Sequence, residues 1–252
     1  MKTRLDVLLV ERGLAESREK AQRLILAGAV RINGQIADKA GRPCATDVAL
    51  ELEKPPRFVG RGGEKLEEAF VRFALDVRGL CCLDIGASTG GFTDCLLQHG
   101  AARIYAVDVG HGQLDWRLRT DPRVVVMDGV NARHLDPTYF PEPGQFAVAD
   151  VSFISLTLIL PAVTRLLVPG AGLVTLIKPQ FEAGRDQVGK GGVVRDQAVR
   201  LATVERVRRF GTQELGLEWR GSCDSPIAGP AGNVEVLAWW RKPAGAAGQK
   251  KL

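Results

Sequence analysis

Residues 83–93 read LDIGASTGGFT. An apolar run ends there in an acid, Asp84, and a glycine-rich turn follows through Gly86, Gly90 and Gly91. A helical pattern begins near Phe92. Glycines let a backbone turn sharply and approach a ligand without a Cβ in the way. The helix that follows offers unpaired N-terminal amides to the same ligand. The spacing D-x-G-x-x-x-G differs from the G-x-G-x-x-G dinucleotide fingerprint. Asp84, Gly86, Ala87, Ser88, Gly90, Gly91 and Phe92 are therefore candidate cofactor-binding residues of another nucleoside-binding sheet.

Reading outward, apolar strand-like runs recur at 80–85, 104–109, 123–127, 145–151, 172–178, 215–221 and 234–240, with helical patterns between them. This alternation predicts a doubly wound, mostly parallel α/β sheet. Asp108 closes the second run and Asp128 the third. An acid at the carboxyl end of the second strand is placed for ribose hydroxyls, and by the same topology Asp128 is expected near a base. Asp150 ends the fourth run and Lys178 the fifth, where Pro179 breaks the strand. No NPPY-like motif, common in amino-methylating enzymes, stands at Asp150.

The N-terminal quarter reads differently. Leu5, Leu8 and Leu9 recur at helical spacing, and Ser17 can cap a second helix with an apolar face of Ala21, Leu24 and Ile25. Its polar face carries Arg18, Lys20 and Arg23. Val30 and Ile32 alternate with Arg31, Asn33-Gly34 signals a tight turn back through Ile36, and Val48, Leu50 and Leu52 suggest another strand. Residues 1–62 hold twelve Lys/Arg against eight Asp/Glu, whereas the rest of the chain holds 22 against 21. A basic excess confined to one small module is the footprint of a nucleic-acid-binding domain. Pro55-Pro56 marks a linker. The expected layout is 1–53 nucleic-acid-binding module, 54–62 linker, 63–243 α/β domain and 244–252 flexible tail.

The composition excludes several classes. No apolar run approaches the ~18–20 residues of a membrane-spanning helix. Asp6 interrupts the first apolar stretch and no small-residue cleavage site follows, so an export signal is not expected. The five cysteines form no C-x-x-C pair, which suits a reduced cytoplasm. His99, His111 and His134 lie far apart without metal-ligand spacing; they are expected to be structural or surface residues, and no metal site is expected.

The helix–helix–hairpin order and the stretch SREKAQRLILAGAVRINGQ resemble the S4 RNA-binding domain. The D-x-G-x-x-x-G turn resembles that of S-adenosylmethionine-dependent methyltransferases. Lys65, Asp150, Lys178 and Glu235 match in order the K-D-K-E tetrad of the FtsJ-like ribose methyltransferases. RGGEKL, DIGASTGGFTD, ADVSFISL and KPQFEAG are typical of the TlyA (hemolysin A) family of ribosomal RNA 2′-O-methyltransferases, which the whole chain resembles. The resemblance implies a Rossmann-like seven-stranded S-adenosylmethionine-dependent methyltransferase sheet behind a small α+β RNA-binding domain. It implies methyl transfer to a ribose 2′-hydroxyl, on cytidines of assembled small or large ribosomal subunits. It also implies Lys65, Asp150, Lys178 and Glu235 as the catalytic set.

A ribose hydroxyl is a poor nucleophile, so the enzyme must align the displacement and manage a proton and growing negative charge. Lys178 is expected to be the proton acceptor or oxyanion stabiliser, helped by Lys65 as a second cation. Asp150 would orient Lys178 and lie near the methyl group, and Glu235, in the last strand, would position Lys65. Arg4, Arg18, Lys20, Arg23 and Arg61 are the expected RNA contacts, and the glycine-rich loop 183–196 is either a cover over RNA phosphates or a plain surface loop. Trp219, Trp239 and Trp240 are expected to pack rather than stack on bases. A monomer or weak dimer in the cytoplasm, with no membrane partner, is expected. A membrane-lytic protein, a non-catalytic RNA-binding protein and a nicotinamide-dependent dehydrogenase are the competing readings.

Overall fold

The computed structural model describes residues 2–53 and 56–244, in two compact units, Met1–Arg57 and Phe58–Leu252. Most of the tail expected at 244–252, and residues 54 and 55 of the expected linker, lie outside the described residues.

The first unit runs β1 (Lys2–Arg4), α1 (Leu5–Glu11), α2 (Arg18–Leu26), β2 (Val30–Ile32), β3 (Gln35–Ile36), β4 (Pro43–Ala45) and β5 (Leu50–Leu52). Ser17 caps α2 by accepting from the Lys20 amide at 3.2 Å. Asn33 and Gly34, both at positive φ, form the β2–β3 turn. Leu5, Leu8, Leu9, Ala21, Ile25, Val30 and Ile32 are its core. The sheet order is β3-β2-β5, and β1 pairs with β4 in a separate ribbon that the sequence pattern had not predicted.

The second unit runs α3 (Gly62–Phe73), β6 (Cys81–Ile85), α4 (Gly91–Gln98), β7 (Arg103–Asp108), α5 (Trp116–Arg119), β8 (Val124–Asp128), β9 (Gly144–Ala149), α6 (Leu156–Leu166), β10 (Leu167–Ile177), α7 (Pro179–Glu182), α8 (Gln197–Arg209), β11 (Glu218–Asp224) and β12 (Val236–Arg241). The seven strands form one sheet in the order β11-β12-β10-β9-β6-β7-β8, with β12 antiparallel to both neighbours and the other pairs parallel. Alternating side chains of β6 feed two cores: Leu83 and Ile85 pack with Leu156, Ile159, Leu160 and Trp240, and Cys82 packs with Leu66, Phe70, Phe92 and Leu96. The strand order reverses between β6 and β9, which opens a crevice at their carboxyl ends.

Three boundaries differ from the sequence reading. Phe58 is buried in the second unit and the Val59 amide donates to Asp94 at 2.8 Å, so the expected linker is partly catalytic-domain structure. The strand expected at 215–221 lies at Glu218–Asp224, because Phe210–Glu214 continues α8 as a π-helical turn. Glu235 precedes β12 rather than lying in it. The tryptophans pack as expected: the Trp240 indole donates to Thr175 in the core at 3.0 Å, Trp219 meets Trp240 edge-on, and Trp239 stacks on Phe146. No described helix is long and apolar enough to cross a membrane.

Candidate active site

The glycine turn after β6 is shaped by close approach. Gly86, at φ +87°, passes so near the end of β9 that a Cβ would sit 2.4 Å from the Asp150 carbonyl oxygen. Gly90, at φ +99°, is pressed against Leu114 and Leu118. Asp84 itself is fully buried and does not line the crevice. Its Oδ2 accepts from the Thr93 hydroxyl at 2.6 Å, which holds the first turn of α4, while Oδ1 has no hydrogen-bond partner. Burial pushes its carboxyl up to about 7. Its expected contact with the cofactor is thereby replaced by a supporting position behind the turn.

Two cavities open beyond these strands. One of about 450 Å³ is lined by Gly86, Ser88, Asp108, Gln113, Asn131, Asp150 and Ser152 among others. The other, of about 520 Å³, is lined by Arg61, Lys65, Asp150, Ser152, Phe153, Lys178, Phe181 and Glu235 among others. A smaller one of about 170 Å³ joins them and adds Ala87, Gly91 and Phe92 to the lining. Asp150 and Ser152 border all three.

Asp108 accepts the Ser88 amide at 2.8 Å on one oxygen and the Gly110 amide at 2.7 Å on the other. Each oxygen retains acceptor capacity for a ribose hydroxyl. Asp128 is different: the Gly112 amide and the Arg119 guanidinium hold its carboxylate, and it lines none of the cavities. The chain after β8 brings Val130, Asn131 and Ala132 to the cavity wall, with Asn131 the polar side chain there, rather than the strand's closing acid. These cavities, with the Gly86 cradle, fit a nucleoside cofactor.

The tetrad converges as two ion pairs on the larger cavity. Lys65, on α3, donates to Glu235 Oε2 at 2.5 Å, with both side chains buried. Lys178 Nζ lies 2.6 Å from Asp150 Oδ1 and donates to Ser152 Oγ at 2.8 Å. Glu235 Oε1 and Gln180 Oε1 are buried without a hydrogen-bond partner, and both residues line the cavity. Glu182, buried in α7, accepts from the Ser155 hydroxyl, the Leu156 amide and Arg206, tying the segment after Lys178 to the segment after Asp150. Phe153, at φ +65° and 90% exposed, lies at the cavity wall with Phe181 5.1 Å away.

Of the expected RNA contacts, Arg61 lines this cavity, and Lys20 and Arg23 are exposed on α2. Arg4 and Arg18, exposed as well, also have a structural role: both guanidinium groups bond to Asp6, fully buried in the first unit, as does Gln22. A buried carboxylate needs such partners, and the Arg4 hydrogen bonds, foremost, hold Asp6 well below the usual carboxylate range. Loop 183–196 contributes Val188 and Gly192 to the cavity wall, so it is more than a plain surface loop. Among the described residues, Glu67, Cys95 and His99 bring metal-ligating side chains together. They line none of the three cavities, and His99 bonds Glu67 at 2.8 Å while stacking on Phe70.

Ser152, Asn131, Glu182 and Asn233 were missed by sequence reasoning. For Ser152 alone a signal was present, a hydroxyl two residues beyond the strand-ending Asp150 in ADVSFISL.

Comparison with known proteins gives the family of this fold. Residues 58–242 match the model of the FtsJ-like methyltransferase family, and residues 3–47 match the S4 domain. The chain is 48% identical to the 16S/23S rRNA (cytidine-2′-O)-methyltransferase TlyA of Mycobacterium tuberculosis, over 95% of this chain and 90% of that protein. It is 46% identical to Hemolysin A of Brachyspira hyodysenteriae, over 93% and 98%. A solved structure from Streptococcus thermophilus, provisionally described as a hemolysin, shares 47% identity at a TM-score of 0.74, covering 96% of this chain and 89% of its own. With the S4 domain ahead of the sheet and the K-D-K-E set gathered on one cavity, the chain belongs to the FtsJ-like methyltransferases, in the branch that contains TlyA and hemolysin A.

Proposed function

We propose that this protein methylates the ribose 2′-hydroxyl of a cytidine in ribosomal RNA of an assembled subunit, using S-adenosylmethionine. The observation that carries the reading is the meeting, at Asp150 and Ser152, of a nucleoside-sized cavity and a second cavity lined by Lys178 and Lys65. The relatives whose names state an activity support the ribose hydroxyl of cytidine as the acceptor.

Asp108 and the 86–92 turn would hold the nucleoside and amino-acid parts of the cofactor. Bound there, S-adenosylmethionine supplies a methyl group on a positively charged sulfur, an electrophile that needs no further activation. Lys178 Nζ meets the acceptor hydroxyl. It hydrogen-bonds the 2′-oxygen and stabilises the negative charge that grows there as the proton leaves. The Asp150 carboxylate, 2.6 Å from Nζ, balances that cation and gives the proton a neighbouring acceptor. Lys65 has its own carboxylate in Glu235, so the two lysines are neutralised separately and share the cavity without mutual repulsion. Lys20, Arg23 and Arg61 would take RNA phosphates, which position a substrate without reading its sequence.

Lys178→Ala is the direct test of the assignment. Turnover is expected to fall by about 10²-fold or more, with cofactor affinity unchanged by calorimetry. Equal loss of turnover and cofactor affinity would overturn the role given to Lys178.

A further inference from the structure

We infer that Ser152 is a positioning residue for this reaction, fixing the direction in which Lys178 presents its remaining N–H to the acceptor oxygen. The inference rests on the reading of Lys178 above.

The geometry is specific to this side chain. A lysine nitrogen at the end of four methylenes is a flexible group with tetrahedrally arranged donors. Contact with Asp150 Oδ1 at 2.6 Å constrains one direction, and that contact lies off the hydrogen-bond axis. Alone it leaves Nζ able to swing about the carboxylate. The hydrogen bond to Ser152 Oγ at 2.8 Å constrains a second direction. The Cε–Nζ bond and the hydrogen bond to Ser152 together fix two directions of the tetrahedral nitrogen, and with them the directions of its remaining N–H groups.

The backbone is built to hold the serine there. Asp150 is anchored to the sheet by its amide, which donates to the Ile85 carbonyl at 2.9 Å. On the other side, Phe153 adopts φ +65°, a left-handed conformation that a bulky non-glycine residue rarely takes. Backbone strain of this kind persists where the surroundings over-determine it, and it gathers at functional sites. Ser152 is thus held between an anchored strand end and a strained residue, on the border of all three cavities.

The experiment compares the full chain with Ser152→Ala, Ser152→Thr and Lys178→Ala. It measures kcat, KM for the ribosomal subunit, cofactor Kd and melting temperature. Misplacing a reacting group by an ångström costs up to about 10²-fold, so Ser152→Ala should lose about 10–10²-fold in kcat. KM, cofactor Kd and melting temperature should stay near wild type. Ser152→Thr, which keeps the hydroxyl, should recover most of the rate.

A Ser152→Ala enzyme with wild-type kcat, alongside an inactive Lys178→Ala, overturns the inference and leaves the role of Lys178 standing. A loss of cofactor affinity that accounts for the whole loss of rate also overturns it, assigning Ser152 to the cofactor instead. An active Lys178→Ala enzyme removes the reading on which the inference rests.

Discussion

Lys65 and Glu235, 170 residues apart in the chain, form a buried ion pair that joins helix α3 to the segment entering β12. Two charges taken out of water are costly unless paired, and removing one partner leaves the other uncompensated. Glu235→Ala should therefore destabilise the protein by about 3–5 kcal/mol, measured by denaturant unfolding. Lys65→Ala/Glu235→Ala should cost clearly less than the sum of the two single changes. Additive losses would show that the two side chains do not depend on each other.

The first unit separates basic residues that build it from those left for RNA. Arg4→Ala should destabilise this unit, because Asp6 would lose the partner that most lowers its pKa. The pairing contributes stability above the ordinary pKa of Asp6 and loses it as the pH falls through the lowered folded value. Lys20→Ala and Arg23→Ala should leave the melting temperature unchanged and weaken RNA binding at low salt. An equal effect on melting from all three substitutions would contradict the division.

Asp84 gives a pH-dependent signature of opposite sign. Its carboxyl is raised from 3.8 to about 7, chiefly by burial. The folded protein therefore holds a proton between those values that the unfolded chain has released. Its contribution to stability is full below the unfolded pKa and is lost as the pH rises through about 7. Asp84→Asn stays neutral and can still accept from Thr93. The variant should gain in melting temperature relative to wild type at about pH 8 compared with about pH 5. A difference that does not change with pH would mean the carboxyl is not raised.

Asn233 holds the cavity's glycine-rich wall. Buried to 1% exposure, it accepts the Val194 amide at 2.9 Å and donates to the Gly192 carbonyl at 2.8 Å. Asn233→Ala should leave those backbone groups without their partner, at about 1–3 kcal/mol. It should also raise KM for the ribosomal subunit with little change in cofactor affinity. Unchanged KM and unchanged protease sensitivity of residues 183–196 would contradict this role.

What the sequence disclosed depended on whether a role is local. The 83–93 turn, the Ser17 cap and the Asn33-Gly34 hairpin are written in neighbouring residues, and all lie where their patterns place them. β1 and β4 are three residues each and too short for an alternating pattern to show. That Arg4 and Arg18 also hold the buried Asp6 is something a list of charges does not reveal. Asp128 was read from topology alone, and Gly112 with Arg119 claims its carboxylate through space. Ser152 and Asn233 act on groups 26 to 41 residues away, through contacts that only the fold creates. Order along the chain, matched to the family tetrad, identified Lys65, Asp150, Lys178 and Glu235. Their division into two ion pairs required the structure.

Methyl transfer to ribosomal subunits that lack the modification tests the central claim most directly. Purified protein would be incubated with labelled S-adenosylmethionine and with separate small and large subunits, followed by nucleoside analysis. The account predicts label in 2′-O-methylcytidine from at least one subunit, and none when Lys178→Ala replaces the wild-type protein. Label in a base-methylated nucleoside, or no transfer to either subunit by a protein that binds the cofactor, would contradict it.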